Sequence, residues 1–150
     1  AIAVAVQAMT DAGLVDGTPY DPDRVGVVLG SGIGGLKSSE EQHDIYRERG
    51  ASKISPFFIP MFIADIAAGL VSMRFNAKGP NYATVSACAT SAHAIGDAFR
   101  AIQYGDADVM ISGGSEATVT PMAIGGFANM KALSERNESP ESASRPFDAS

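Results

Sequence analysis

Apolar and polar positions along this chain alternate with two periods, one helical and one extended. Helical spacing covers residues 2–12, 38–49, 61–75, 91–104 and 121–129, and short apolar runs typical of strands cover 24–29, 81–85 and 109–112. The run 24–29 is almost continuously apolar, so we expect it to be buried on both faces of a parallel or mixed sheet. Strands that alternate with helices predict an α/β layered fold with right-handed crossovers.

The first helix and the loop after it carry local signals for their ends. Ile2, Val6 and Met9 lie near one face of this helix, and Gly13 is expected to end it. Glycine and proline punctuate residues 16–23, which predicts a turn-rich loop before the first strand.

The next helices differ in polarity. Ser38 or Ser39 is expected to cap a charged, exposed helix that ends near Arg49. The segment 61–75 is largely apolar, so we expect a buried helix there. The segment 81–85 predicts a short buried strand.

Composition indicates an ordinary globular protein of about one domain, with 150 residues that are 45% hydrophobic and 19% charged. The net charge of −6 does not favour nucleic acid as a partner. Gly, Asp or Pro interrupts the apolar stretches before any could span a membrane. The chain opens on Ala1 inside an apolar-periodic segment without a basic leader and closes on the loop-like residues 145–150. We therefore expect both ends to be truncated, so that residues 1–150 form a piece of a longer protein.

Cys88 is the single cysteine, and it lies between the strand 81–85 and the helix 91–104. One cysteine excludes a disulfide within the chain and favours a reducing cytoplasm. A thiol at a helix start faces the positive end of the macrodipole and unpaired backbone N–H groups, which favour the reactive thiolate. Its neighbours Ala87 and Ala89 are small enough to admit a thioester, and the Cys88 N–H could donate one oxyanion hydrogen bond. The alternative is an inert buried cysteine, which is common in protein cores.

A glycine loop follows the first strand, with Gly30, Gly32 and Gly35 in the spacing G-x-G-x-x-G. This spacing is that of a dinucleotide fingerprint, which also needs a strand ending in Asp or Glu about twenty residues later. No such strand follows, so the sequence favours a tight turn or a close backbone approach.

The two histidines do not form a recognisable site with the cysteine. His93 lies on a different helix face from Cys88, since five residues correspond to about 140° of rotation, and we interpret it as a packed or capping residue. His43 is expected on a solvated helix face, and no spacing indicates a metal site. Phe57, Phe58 and Ile59 with the loop residue Ile33 could line an apolar pocket or simply belong to the core.

Residues 85–96, which read VSACATSAHAIG, resemble the active-site segment of β-ketoacyl-[acyl-carrier-protein] synthases. Within this family the chain is most similar to the type II elongating synthases. Further segments with the same resemblance are 30–35, 53–58, 79–81, 104–109, 113–116, 132–134 and 144–148.

The resemblance implies a thiolase-like fold, in which two related α/β halves form an α-β-α-β-α sandwich, usually in a homodimer. Residues 1–150 would be most of the first half. Two histidines, a lysine and a second oxyanion donor would then lie beyond residue 150, so His43 and His93 are not assigned those roles. On this interpretation the isolated piece does not catalyse.

The same resemblance implies the chemistry. Cys88 would carry the acyl group, and a decarboxylated malonyl unit from an acyl carrier protein would attack it, without a cofactor. Ile33 and Phe58 match positions that shape the acyl pocket, while Lys53 and Lys131 match a basic surface that meets the carrier protein. The alternatives are a polyketide ketosynthase and a non-catalytic chain-length partner subunit, although such partners typically replace the cysteine.

Overall fold

The computed structural model describes residues 1–14 and 20–148, in two compact units, Ala1–Thr118 and Val119–Ser150. In these residues the α-helices are α1 Ile2–Asp11, α2 Leu36–Arg49, α3 Phe58–Phe62, α4 Ile66–Phe75, α5 Thr90–Gln103 and α6 Pro121–Asn129. The strands are β1 Val25–Gly30, β2 Asn81–Tyr82 and β3 Val109–Gly114. Short 3₁₀ turns cover Pro22–Arg24, Ala51–Lys53, Ala87–Ala89 and Pro140–Ser142. The predicted α/β class is confirmed.

The strands of the first unit form a parallel sheet in the order β2-β1-β3. Strand β1 is central, with Val27 opposite Asn81 of β2 and Ile111 of β3. Every residue of β1 is buried, which confirms the burial expected from its apolar run.

Helices cover both faces of β1, because alternate strand side chains point to opposite faces. Val25, Val27 and Leu29 share a core cluster with residues of α1 and α4. On the other face α5 packs along β1 and β3. The members of the core cluster are Ala5, Met9, Val25, Val27, Leu29, Ala68, Val71, Phe75, Ala77 and Ile111.

Strand β2 is shorter than the sequence predicts, and the expectation of a buried strand over 81–85 is wrong. Only Asn81 and Tyr82 pair with β1, and both are exposed. The strand has one neighbour in the described sheet, so its outer edge lies open. Val85 is likewise 62% exposed. Residues after Tyr82 are therefore available to form the turn that carries Cys88.

The apolar segment 61–75 is not one buried helix, which corrects the sequence-based expectation. The helix is interrupted between Phe62 at the end of α3 and Ile66 at the start of α4. Helix α4 buries only a stripe at Ala68, Val71 and Phe75, a spacing that directs one face to the core. The exposed apolar side chains of the segment are Met61, Phe62, Ile63, Leu70 and Met73.

Smaller corrections concern the faces and ends of the first two helices. In α1 the buried positions are Ala5 and Met9, while Ile2 and Val6 are exposed. Gly13 follows the helix at φ +72°, in the left-handed region that suits a glycine after a helix end.

Helix α2 begins at Leu36 after Gly35, without a side-chain cap, so Ser38 and Ser39 lie within the helix and do not cap it. Residues 16–19, the first half of the turn-rich loop expected over 16–23, lie outside the described residues. The described half leads into the 3₁₀ turn Pro22–Arg24.

The second unit contains α6, which has the bounds that the sequence predicts. Thr120 caps it by accepting a hydrogen bond from the Ala123 N–H at 3.2 Å, and Pro121 occupies the first helical position. No helix in the described ranges is long and apolar enough to cross a membrane.

Candidate active site around Cys88

Cys88 lies in the 3₁₀ turn Ala87–Ala89, which leads directly into α5. The structure thus places it at the start of a helix after the short strand β2, as the sequence predicts. Its thiol is unbridged and exposed to solvent. The alternative of a cysteine buried in the core is therefore wrong, because the described residues do not cover Cys88. An exposed sulfur at a helix start can be reached by a substrate.

The backbone before Cys88 adopts a conformation that is uncommon for its residue type. Ala87 has φ +50°, in the left-handed region that residues with a Cβ rarely occupy. Such a conformation costs about 1–3 kcal/mol and persists only where surrounding contacts hold it. Thr90 supplies two of these contacts: its Oγ1 donates to the Ala87 carbonyl at 2.7 Å and accepts from the Ser86 N–H at 2.8 Å.

The backbone N–H of Cys88 is available to a ligand. Within the described part of the chain this N–H donates to no other group, whereas the next N–H, that of Ala89, donates to the Ser86 carbonyl at 3.1 Å. An unpaired N–H beside a nucleophile is the group that an oxyanion requires. The arrangement can therefore hold a thioester carbonyl at the sulfur.

The glycine loop after β1 binds a side chain of this chain, which argues against the dinucleotide alternative. Glu116 Oε2 accepts from the N–H groups of Gly32 at 2.7 Å and Ile33 at 3.0 Å, and its Oε1 accepts from Ser31 Oγ at 2.9 Å. A third loop N–H, that of Gly34, donates to Ser31 Oγ at 3.1 Å. The carboxylate occupies the N–H groups that a phosphate would need. The glycines thus permit a tight turn, as the sequence indicates, with Gly34 at φ +81°.

Glu116 is a site residue that sequence reasoning missed. The signal lay in the topology: Gly114 at the end of β3 pairs with Gly30 at the end of β1. Residues that follow two neighbouring parallel strands meet at one edge of the sheet. The family resemblance includes residues 113–116 as a motif but gives Glu116 no role.

The glycine loop also touches the turn that carries Cys88. A Cβ added at Gly32 would lie 3.2 Å from the carbonyl oxygen of Ala87. The next residue, Ile33, has a side chain that is 44% exposed. The structure thus brings the loop of Ile33 and the turn of Cys88 together at one sheet edge.

The other predicted site residues lie elsewhere on the described chain. Phe58 begins α3, is partly buried, and packs against Phe62 with ring centroids 5.6 Å apart. Lys53 ends the 3₁₀ turn Ala51–Lys53 and is exposed. Lys131, in the second unit, is exposed and has φ +59°. The neighbours of Phe58, Phe57 and Ile59, are 68% and 59% exposed, so they do not form a plain core.

His93 differs from its interpretation as a packed or capping residue. It is exposed, and its Nδ1 lies in a hydrogen bond 2.6 Å from Ser86 Oγ. No hydrogen bond joins it to Cys88 in the described residues, in agreement with the different helix faces of the two residues. His43 is exposed beside Asp44, as expected. The described residues contain no cluster of His, Cys, Asp or Glu that could hold a metal ion.

A cleft of about 490 Å³ opens beside α5 on the side of His93. Its lining residues are Thr84, Val85, Ser86, Ala92, His93, Gly96, Asp97 and Arg100. Cys88 does not line this cleft, so the cleft does not indicate where an acyl group would bind. The pKa of Tyr82, which interacts with the cleft residue Asp97, is raised above its ordinary value. Burial is the larger cause, and the negative charge of Asp97 is the second.

At the amino ends of β1 and β3, the opposite end of these strands from Cys88, Arg24 and Asp108 form an ion pair. Arg24 donates to Asp108 Oδ1 at 2.7 Å and to the Gly105 carbonyl at 2.8 Å, just before β1 and β3 begin. The hydrogen bond from Arg24 lowers the pKa of Asp108 and raises that of Arg24. These charges stabilise the amino ends of the strands, away from Cys88.

Comparisons with known proteins agree with this geometry. A family model described as "Beta-ketoacyl synthase, N-terminal domain" matches residues 1–150. The chain is 51% identical over 148 residues to 3-oxoacyl-[acyl-carrier-protein] synthase 2 of Synechocystis sp., covering 99% of this chain and 35% of that protein. It is also 51% identical over 147 residues to the synthase 2 of Staphylococcus aureus, covering 98% of this chain and 36% of that protein. The chain thus spans about a third of the length of these relatives.

Solved structures show the same fold. A β-ketoacyl synthase from Burkholderia phymatum STM815 matches with a TM-score of 0.83 and 29% identity, covering 99% of this chain and 36% of that one. The complex of a type II PKS acyl-carrier protein with its ketosynthase bound to the hexaketide matches with a TM-score of 0.78 and 29% identity, covering 90% of this chain and 35% of that one. The thiolase-like α/β fold that the sequence resemblance implies is therefore confirmed.

Proposed function

This chain belongs to the β-ketoacyl synthase family and matches the N-terminal domain of that family over residues 1–150. We therefore propose that the complete protein elongates fatty acids by decarboxylative condensation. Its substrates are an acyl thioester and the malonyl thioester of an acyl carrier protein. The observation that carries the proposal is Cys88, exposed at the start of α5 beside its own unpaired N–H. The product is a β-ketoacyl thioester two carbons longer.

The reaction has two stages with one covalent intermediate. In the first, the Cys88 thiolate attacks the acyl thioester carbonyl, and the carrier leaves as its thiolate when the tetrahedral oxyanion collapses and the old C–S bond breaks. In the second, the malonyl thioester loses CO₂, and the resulting carbanion attacks the acyl carbonyl on Cys88. The C–S bond to Cys88 then breaks and the thiolate is restored. The Cys88 N–H stabilises both oxyanions, and no cofactor takes part.

We place the remaining catalytic groups outside residues 1–150, in the second half of a thiolase-like protein. Two histidines that assist decarboxylation, a lysine and the second oxyanion donor belong there by family resemblance. The positions of the histidines in this chain support that assignment, since His43 is exposed on α2 and His93 bonds to Ser86. On this proposal residues 1–150 are most of the first half, and they do not catalyse alone.

The acyl chain is proposed to pass Ile33 and Phe58. An apolar chain needs only apolar walls, which both side chains provide. Support for Ile33 comes from its loop, which lies against the turn of Cys88 through Gly32 and Ala87. Phe58 rests on family resemblance and on its partly buried position at the start of α3.

The carrier protein is proposed to contact the basic residues Lys53 and Lys131, as the family resemblance implies. Both are exposed, so both are available to a partner. The net charge of −6 opposes an acidic partner at long range. Docking therefore needs a local basic patch, whose effect weakens with added salt. A homodimer in the cytoplasm is the assembly proposed for the complete protein.

The test is a condensation assay on the complete protein with acyl- and malonyl-carrier thioesters, followed by mass spectrometry of the product. We expect Cys88→Ser to abolish product and covalent acylation. The matched control Ser52→Ala, at an exposed position, should retain activity. Condensation at the normal rate by Cys88→Ser would rule out the proposal. Repeated extension without reduction between cycles would indicate a polyketide ketosynthase, and a wild type that binds the carrier without acylation would indicate a non-catalytic partner subunit.

A further inference from the structure

The side chain of Thr90 lies under the turn that presents Cys88. Thr90 begins α5 and is buried, with 4% of its surface exposed. Its hydroxyl holds both residues before Cys88, accepting from the Ser86 N–H and donating to the Ala87 carbonyl. The single O–H donor of this buried hydroxyl is thus satisfied, and its oxygen also accepts a hydrogen bond.

Thr90 is itself fixed from two other sides. Its own carbonyl accepts from Thr84 Oγ1 at 3.0 Å. Its methyl group packs so closely on the end of β1 that a Cβ added at Gly30 would collide with Thr90 Cγ2. The position of this hydroxyl is therefore set by the central strand and by the segment that follows β2.

The Ala87 carbonyl and the Cys88 N–H belong to the same peptide group. A trans peptide is planar, so its N–H points away from its carbonyl, and a contact that fixes the oxygen also fixes the direction of the N–H. The described chain contains no cis peptide bond. The hydrogen bond from Thr90 also polarises this peptide and makes the N–H a better donor.

We infer that Thr90 is a positioning residue for the oxyanion site: by holding the Ala87 carbonyl, it aims the N–H of Cys88 at the tetrahedral intermediate. This inference rests on the proposed acyl-transfer function. Without the hydroxyl, Ala87 loses a contact that keeps it at φ +50°, and the peptide can rotate. Thr90 touches no reacting atom and acts through that peptide.

The test is single-turnover acylation of Cys88 in the complete protein, with a saturating acyl-carrier thioester. Thr90→Val keeps the shape of the side chain and removes the hydroxyl, and Thr90→Ser keeps the hydroxyl. Removing one oxyanion donor typically slows catalysis about 10²–10³-fold, so misaiming it in Thr90→Val should slow acylation about 10–100-fold. The KM for the acyl donor should change less than about 3-fold, and Thr90→Ser should recover acylation to within about 3-fold of the wild type.

Alkylation of Cys88 by iodoacetamide separates positioning of the N–H from access to the sulfur, since alkylation forms no oxyanion. We expect the alkylation rate of Thr90→Val to stay within about 3-fold of the wild type. A parallel fall in alkylation and acylation would overturn the inference, as would a Thr90→Ser variant as slow as Thr90→Val. A wild-type protein that cannot be acylated would refute the proposed function instead.

Gly30→Ala tests the same residue from the strand side, because the added Cβ would push the methyl of Thr90 and also Thr84, whose Oγ1 donates to the Thr90 carbonyl. The matched control is Gly69→Ala in α4, where an added Cβ meets no atom within 4 Å. We expect Gly30→Ala to slow acylation and Gly69→Ala to leave it unchanged. A folded Gly30→Ala variant that acylates at the wild-type rate would contradict the need for a fixed Thr90.

Discussion

Replacing Glu116 with alanine tests whether its carboxylate holds the glycine loop in place. The substitution removes three hydrogen bonds, from Ser31 Oγ and from the N–H groups of Gly32 and Ile33. A hydrogen bond to a charged group contributes about 1.5–3 kcal/mol. The total loss is smaller than three such bonds, because Glu116 is exposed and water can reach the N–H groups of Gly32 and Ile33.

Ser31 is different, since its side chain is buried and only 7% exposed, so water does not easily replace the carboxylate there. We therefore expect Glu116→Ala to lower the free energy of unfolding by about 2–3 kcal/mol. Glu116→Gln keeps one acceptor oxygen for the two N–H groups and should cost about 1 kcal/mol. The matched control is Glu48→Ala, because the exposed Glu48 carboxylate has no hydrogen-bond or ion-pair partner among the described residues, and its effect should stay within about 0.5 kcal/mol.

The assay is chemical denaturation of the complete protein, read as the shift of the unfolding midpoint. A second readout is the ratio of kcat/KM for short and long acyl donors, because the Ile33 N–H is one of the groups that Glu116 holds. We expect this ratio to change in Glu116→Ala and not in Glu48→Ala. If Glu116→Ala unfolds at the same midpoint as Glu48→Ala, the carboxylate does not hold the loop and the reasoning fails.

Two further predictions concern charge. The hydrogen bond from Arg24 holds the pKa of Asp108 below its ordinary value of 3.8. The pair therefore stabilises the folded state at pH values above 3.8, and this stabilisation is lost as the pH falls through the lowered pKa of Asp108. Asp108→Asn should thus be less stable than the wild type at pH 7, with a difference in unfolding midpoint that disappears under strong acid; a difference independent of pH would contradict this. If the carrier protein contacts Lys53 and Lys131 as proposed, Lys53→Glu or Lys131→Glu should raise the KM for the carrier thioester about 5–10-fold at low salt, with little change in kcat, whereas the exposed control Lys78→Glu should not. If Lys53→Glu and Lys131→Glu change the KM no more than Lys78→Glu does, the docking surface lies elsewhere.

The local sequence was sufficient to predict a helix or strand wherever that element depends mainly on its own residues. The apolar run of β1 predicted a strand buried on both faces, and the structure has it there. The spacing of α5 and the Pro121 start of α6 predicted both helices to within one residue. Cys88 could be placed at the beginning of a helix from its neighbours alone.

Burial and strand length could not be predicted in the same way, because they depend on what lies beside an element. Residues 81–85 have the composition of a strand, but only Asn81 and Tyr82 find a partner in β1. The apolar segment 61–75 has the composition of a buried helix, but α4 turns only one stripe of it toward the sheet. Propensity and periodicity describe a segment, and its neighbours decide how much of it is covered.

By itself, the sequence determined the α/β class, the order of its strong elements and the placement of the single cysteine between a strand and a helix. The tertiary structure decided how that cysteine is surrounded. Glu116 reaches Gly32 across 84 residues because β1 and β3 pair in parallel and end at one edge. Thr90 meets Gly30 because α5 packs back across β1. Contacts between residues so far apart in sequence arise from chain pairing and packing, which no local pattern of side chains encodes.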